Sequence, residues 1–178
     1  MSRPWGWFGQ CAKQAGDIMG STLDILGRLS DQQVEFVIVD GLAGTAHGSG
    51  MVTEDLDVCA PMTRENIVRL LAAIADLNPR WWMNPNRPPV PLDPSKLEGY
   101  ENLYILCDWG QVDLLSEITG IGDFEQVSRR SVTLDIAGRP CRVLAPDGLI
   151  DAKRAMGRPR DIQAATELEA IRDHLRQA

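Results

Sequence analysis

Residues 34 to 60 read VEFVIVDGLAGTAHGSGMVTEDLDVCA, two apolar stretches held apart by a segment rich in small residues. VEFVIV is a β-branched run that ends at a turn signal, Asp40 and Gly41, and predicts a buried strand. LAGTAHG suits a short helix ending at Gly48, and LDVCA suits a second strand. Side chains alternate faces along a strand, so Asp55 and Asp57 project together while Leu56 and Val58 enter the opposite, buried face. Two like charges that close repel each other unless something positive sits between them.

The rest of the chain alternates helical and strand-like periodicities. Ile18, Leu23, Ile25, Leu26 and Leu29 predict an amphipathic helix over residues 9–30, and Thr63 is placed to cap a helix over 64–78 with Ile67, Leu70, Leu71 and Ile74 as its apolar stripe. Residues 84–96, NPNRPPVPLDPSK, hold five of the eleven prolines and predict a loop or lid. LYILCDWGQVDLLSEI reads as two strands joined at Asp108, Trp109 and Gly110, and SVTLDIAGRPCRVLA as a hairpin turning at Gly138. Two helices, broken by Gly157 and Pro159, close the chain. This order predicts an α+β fold, a mixed sheet with helices packed on one side and a C-terminal helical pair. At 178 residues the expectation is one domain, with an N-terminal helical extension over 1–30, a sheet core over 34–145 and terminal helices over 146–178.

Charge and composition narrow the function. A net charge of −7 opposes sequence-blind nucleic-acid binding, which needs a basic surface. The longest apolar runs are too short to span a bilayer and the first residues lack a signal-peptide core, so a soluble, cytoplasmic protein without a membrane partner is expected. Cys11, Cys59, Cys107 and Cys141 form no CxxC pair and predict buried thiols rather than a zinc site or a disulfide framework.

Asp113 is a third carboxylate, set between Val112 and Leu114 in an otherwise apolar run. A strand neighbouring residues 55–59 would bring it beside Asp55 and Asp57, and three carboxylates suit hard divalent cations, Mg2+ or Mn2+. Taken singly, the pair suits a solvated edge strand and Asp113 the end of the turn begun at Asp108. Gly41 lets the backbone approach a ligand closely, as a phosphate-cradling turn does, whereas Asp40 is also placed to serve as a helix N-cap. Lys153, Arg154, Arg158 and Arg160 form a cationic cluster suited to phosphate or to a solvated face.

The combination VIVDGLAGTAHGSGMVTEDLDV followed by QVDLL resembles the DNA polymerase β-type nucleotidyltransferase superfamily, over about residues 34 to 170. GLAGTAHGSGMVTEDLD and the late LIDAKRAMGRPRDIQAATEL are similar to small stand-alone members, including AbiEii-type toxin nucleotidyltransferases. The resemblance implies Asp55, Asp57 and Asp113 as metal ligands, with Asp113 also helping to activate the attacking hydroxyl. It implies Gly41 and Ser49 at the triphosphate, Lys153 on nucleotide or phosphate, and Asp161 as the acidic residue after it. The implied activity is transfer of an NMP group from an NTP to an acceptor hydroxyl on RNA, protein or a small molecule, with a toxin–antitoxin or phage-defence setting. Two positions depart from the pattern: Asp40 replaces a glycine and Met51 an arginine. They make a catalytically degenerate binding module with a partner protein the alternative, to which the exposed-segment aromatics Trp5, Trp7, Phe8, Trp81, Trp82 and Trp109 offer interface material. Asp40 is equally a candidate for one more metal ligand.

Dehalogenase-type phosphatases need their DxD at the end of an apolar strand, and GMVTE before Asp55 is not one. DxD glycosyltransferases usually need a longer chain. His47 and His174 are the only histidines, which leaves little for Ser-His-Asp or Cys-His catalysis.

Overall fold

The computed structural model describes residues 22–51 and 53–177. Cys11, Trp5, Trp7, Phe8 and the first part of the expected N-terminal helix lie outside the described residues. Residues 22–31 are helical (α1). They are followed by β1 (Val37–Ile38), α2 (Asp40–Ala46), β2 (Asp55–Cys59) and α3 (Arg64–Ile74), which runs into a 3-10 turn, Ala75–Leu77. β3 (Arg80–Trp81), β4 (Asn102–Cys107) and β5 (Gly110–Leu115) come next. After them stand a small pair, β6 (Glu117–Ile118) and β7 (Gly122–Asp123), then α4 (Phe124–Arg129). The hairpin β8 (Ser131–Ile136) and β9 (Arg139–Leu144) leads to α5 (Pro146–Met156) and α6 (Pro159–Gln177).

Seven strands form one mixed sheet in the order β3-β4-β5-β2-β1-β9-β8. β2 is parallel to β5 and antiparallel to β1, and β1 is parallel to β9, so the strands that carry carboxylates stand side by side at its centre. The expected α+β mixed sheet with C-terminal helices is the architecture found.

Local chemistry explains the elements. The Thr63 hydroxyl accepts from the Asn66 amide at 3.3 Å, the expected cap of α3. Ala137 and Gly138 both have positive φ, 53° and 79°, as a two-residue hairpin turn requires, and they join β8 to β9. The other hairpin turns on Asp108 and Trp109 alone; Gly110 already pairs with Cys107 inside β5. Gly157, with φ 69°, ends α5, and Pro159 opens α6. Strand β1 is shorter than the apolar run that contains it. Val34 and Phe36 are buried beside it without joining a ladder.

The alternation predicted for β2 decides how the core divides. Leu56 and Val58 are fully buried, and they belong to one apolar cluster with Val112 and Leu114 of β5, Leu103 and Ile105 of β4, Ile25, Leu26 and Leu29 of α1, and Leu70 and Ile74 of α3. Burial of a side chain of this size contributes about 1.5–3 kcal/mol, so this face anchors the strands whose other face carries the charges. Cys59, Cys107 and Cys141 are free and buried, as expected, and burial pushes the Cys59 and Cys107 thiols up to about 12. The proline-rich segment hydrogen-bonds along β3, with the Trp81 amide on the Pro88 carbonyl at 3.0 Å and the Val90 amide on the Pro79 carbonyl at 2.9 Å. It edges the sheet, and its residues line neither cavity beside the carboxylates.

Among the described residues, no helix is long and apolar enough to cross a membrane.

Candidate active site

Register brings the three acids together. β2 and β5 run parallel with Asp57 directly opposite Asp113 and Asp55 opposite Gln111, so Asp55, Asp57, Gln111 and Asp113 share one face. On the next strand Tyr104 stands opposite Asp113. Asp113 therefore sits in the middle of β5 and does not end a turn. Asp113 is 9% exposed, and the Gln111 amide donates to both of its carboxylate oxygens at 3.1 Å. This face borders a cavity of about 570 Å3 lined also by Gly41, Ser49, Thr53, Lys153, Arg158 and Arg160.

The acidic face is electrostatically uncompensated. Burial pushes the Asp57 carboxyl up to about 7; repulsion from Asp40, Asp113 and Asp55 adds to this, and Lys153 opposes it. Burial likewise pushes Asp113 up to about 6, with the Gln111 hydrogen bonds opposing and Asp55 adding. Asp55 is raised by burial and then by Glu54 and Asp40.

These are hard oxygen donors beside a polar cavity, and they fit a divalent cation that takes one or two carboxylates and completes its shell with water and phosphate oxygens. No group of three His, Cys, Asp or Glu side chains among the described residues is converged tightly enough to enclose an ion on its own.

The cationic cluster behaves differently from its sequence reading. Lys153 Nζ donates to the Asp40 carboxylate at 2.5 Å and to Asp161 at 3.4 Å, and the Arg158 guanidinium donates to Asp161 at 2.5 Å. Arg154 pairs with Glu169, linking α5 to α6. Of the four basic residues only Arg160, which lines the cavity, makes no ion pair among the described residues. Asp161 is 2% exposed; burial would push its carboxyl up, but Arg158 and Lys153 hold it below the usual range.

The turn residues also acquire definite roles. Asp40 is not the N-cap of α2; Val39 is, and Asp40 is the first helical residue, with φ 52°, a conformation glycine adopts at no steric cost. A Cβ at Gly41 would lie 2.6 Å from Cβ and Oγ1 of Thr53, so glycine here lets α2 pack against the segment leading into β2. Ser49 lines the cavity, but its hydroxyl donates to Glu167 on α6 at 3.1 Å, and the same carboxylate accepts from the Gly50 amide at 2.8 Å. His47 ends α2, and its Nε2 donates to the Leu144 carbonyl at 2.9 Å, a tether between helix and sheet.

Gln111, Tyr104 and Thr53 did not stand out in the sequence. Gln111 carried a usable signal, because it lies two residues before Asp113 on a strand and so must share its face. Tyr104 carried none, since only the pairing register places it opposite Asp113.

No family model matches the sequence, and no curated protein matches it. Among solved structures, that of ANT(2'')-Ia in complex with adenylyl-2''-tobramycin is similar, with a TM-score of 0.51 and 18% sequence identity over 89% of this chain and 98% of that one. ANT(2'')-Ia is an aminoglycoside nucleotidyltransferase. The likeness shows that this chain has a nucleotidyltransferase-like fold, and it does not single out the AbiEii-type subgroup.

Proposed function

We propose that this protein is a metal-dependent nucleotidyltransferase, moving an NMP group from an NTP to an acceptor hydroxyl with loss of pyrophosphate. The observation that carries this reading is the register of β2 and β5, which sets Asp57 against Asp113 with Asp55 on the same face beside a cavity large enough for a nucleotide.

Asp55, Asp57 and Asp113 would hold Mg2+ or Mn2+. The bound cation supplies charge to offset the triphosphate and the developing negative charge in transfer. The chain's own residues do the rest. The Asp113 carboxylate takes the proton from the acceptor hydroxyl as its oxygen bonds to the α-phosphorus, and the bond from the α-phosphorus to the bridging oxygen breaks with its electron pair leaving on pyrophosphate. Gln111 orients Asp113 through both carboxylate oxygens. Arg160 is the side chain of the cluster whose charge is not already spent on a carboxylate, and it contacts phosphate in this reading. Gly41, Ser49 and Lys153 line the space the triphosphate would occupy.

A binding module that has lost catalysis is the second reading, and one observation favours it: Lys153 is already neutralised by Asp40 and Asp161. A toxin–antitoxin setting rests on the similarity of two sequence segments alone, residues 41–57 and 149–168. Incubation with each labelled NTP and Mg2+ or Mn2+, with cell lysate as the source of acceptors, tests the enzyme reading. Label transfer that disappears in Asp57→Asn supports it, and absence of NTP and metal binding by the folded wild type defeats it.

A further inference from the structure

A second cavity, of about 250 Å3, adjoins the first. The two share Asp40, Tyr104, Leu115, Lys153 and Met156 as lining, so they meet along the sheet face that bears Asp113. Leu115 lies two residues beyond Asp113 on β5, with Asn102 of β4 opposite it, and the cavity continues in that direction under α5. Val39, Leu144 and Leu149, all buried, give it an apolar wall, and Asn102 and Tyr104 add polar groups from the sheet.

Its exposed lining includes Thr119 and Glu117, and Glu117 makes no ion pair among the described residues. The one cation in the lining, Lys153, is held by Asp40 and Asp161. The space therefore has a mixed lining, apolar at Leu144 and Leu149 and polar at Asn102 and Tyr104, carries an uncompensated negative charge on its exposed wall, and falls just below the volumes usual for drug-sized ligands.

We infer that this side cavity is the acceptor subsite, and that it takes a small molecule with an apolar body, a hydroxyl and a positively charged amino group. The inference rests on the nucleotidyl-transfer reading above. The larger cavity holds Arg160, Ser49, Gly41 and the acidic face, which are the groups a triphosphate and its cation require, so the nucleotide is assigned there. A body seated between Leu149 and Leu144 sends its hydroxyl past Tyr104 and Leu115 to Asp113, and its ammonium group meets Glu117. A polynucleotide would not enter so small a space, and the chain's net charge of −7 repels it.

Binding of three matched probes tests this on the full chain: tyramine, its uncharged analogue tyrosol and the anionic 4-hydroxyphenylacetate, measured by saturation-transfer NMR and calorimetry in the presence and absence of Mn2+ and each NTP. Tyramine is expected to bind about two- to fivefold more tightly than tyrosol, the range of an exposed charge pair, with the anion weakest. Glu117→Gln should erase that ranking. Thr119→Trp, a change at an exposed position, should weaken all three by tenfold or more with the dissociation constant of Mn2+ and NTP unchanged. Equal affinity for the three probes, no binding of any, or weakening of the NTP instead of the probes by Thr119→Trp overturns the assignment; the last result would place the nucleobase in the side cavity. Failure of the wild type to bind Mn2+ and NTP defeats the nucleotidyl-transfer reading itself, whatever the ranking of the probes.

Discussion

Two acidic groups line one cavity, and their carboxyls shift in opposite directions. Asp57 and Asp113 lie on the sheet among like charges, with no ion pair of their own, and their carboxyls are pushed up to about 7 and about 6 against the opposing influence of Lys153 on Asp57 and Gln111 on Asp113. Asp161, on α6, is more deeply buried, yet Arg158 and Lys153 hold its carboxyl below the usual range. Desolvation penalises every buried carboxylate, so the partners decide the outcome. A group with its partners built in is part of the scaffold. A group without them stores unfavourable energy that a bound cation would relieve, as the proposed metal site requires.

Substitution should separate the two groups most sharply in activity. Asp57→Asn and Asp113→Asn are expected to lower nucleotidyl transfer by about a hundred- to ten-thousandfold, read as labelled product per enzyme at saturating NTP. Asp161→Asn should lower it chiefly through stability. Activity of either sheet variant within a few-fold of wild type would remove the distinction.

Stability should change with the opposite sign. Asp161→Asn leaves Lys153 and Arg158 without their buried partner and is expected to cost about 2–4 kcal/mol, after allowance for the exposure of Arg158. A loss on the order of 5–10 °C in thermal midpoint would follow for a chain of this length. Asp57→Asn relieves repulsion and should raise the metal-free midpoint at pH 8 by a few degrees.

The same contrast fixes the pH dependence. A carboxyl raised in the folded protein to about 7 contributes stability that is fully present below the unfolded value near 4 and is lost as pH rises through 7, so the metal-free wild type should weaken between pH 4 and 8 relative to Asp57→Asn. Saturating Mg2+ or Mn2+ should flatten that decline, because a cation favours the ionised form. Asp161, being lowered, contributes stability that is present above its ordinary range and lost in acid, so the gap between wild type and Asp161→Asn should close as pH falls. Parallel melting curves for the three proteins across this range, with and without metal, check both signs.

Much of the acidic face was legible because it depends on a local rule. Period-two alternation put Asp55 and Asp57 on one side, and a charge inside VDLL marked Asp113 as unusual. The compensated group was not legible in that way. Asp161 pairs with Arg158 three positions away and with Lys153 eight positions away, but Lys153 also reaches Asp40 across 113 positions, and no periodicity encodes that meeting. The basic residues read as a free cluster for the same reason: a sequence shows their number but not the carboxylates that claim three of the four. The short β1 is a further case, since an apolar run reports burial and does not report where a ladder stops.

Asp40 belongs to both groups, and its replacement by glycine sharpens the comparison with the smallest expected change in stability. Its positive φ of 52° carries a steric cost of about 1–2 kcal/mol for an ordinary L-residue, less for aspartate, and glycine removes it. The lost partner of Lys153 is itself 48% exposed, and such a pair contributes about 0–1 kcal/mol, so the two changes nearly cancel and the midpoint should move by no more than a few degrees. The electrostatic consequence is larger than the stability change. Removing one negative charge near Asp57 lowers the repulsion acting on it, and Lys153 is left with Asp161 alone and so is freer to meet phosphate. Asp40→Gly should therefore tighten binding of Mn2+ and NTP together by several-fold in calorimetry, while Mn2+ alone, measured by its own spin resonance, binds no more tightly. If Asp40 is instead one of the metal's ligands, Mn2+ alone will bind more weakly to the variant, and the division of the cavity into a wanting and a satisfied side must be redrawn with Asp40 among the carboxylates of the sheet.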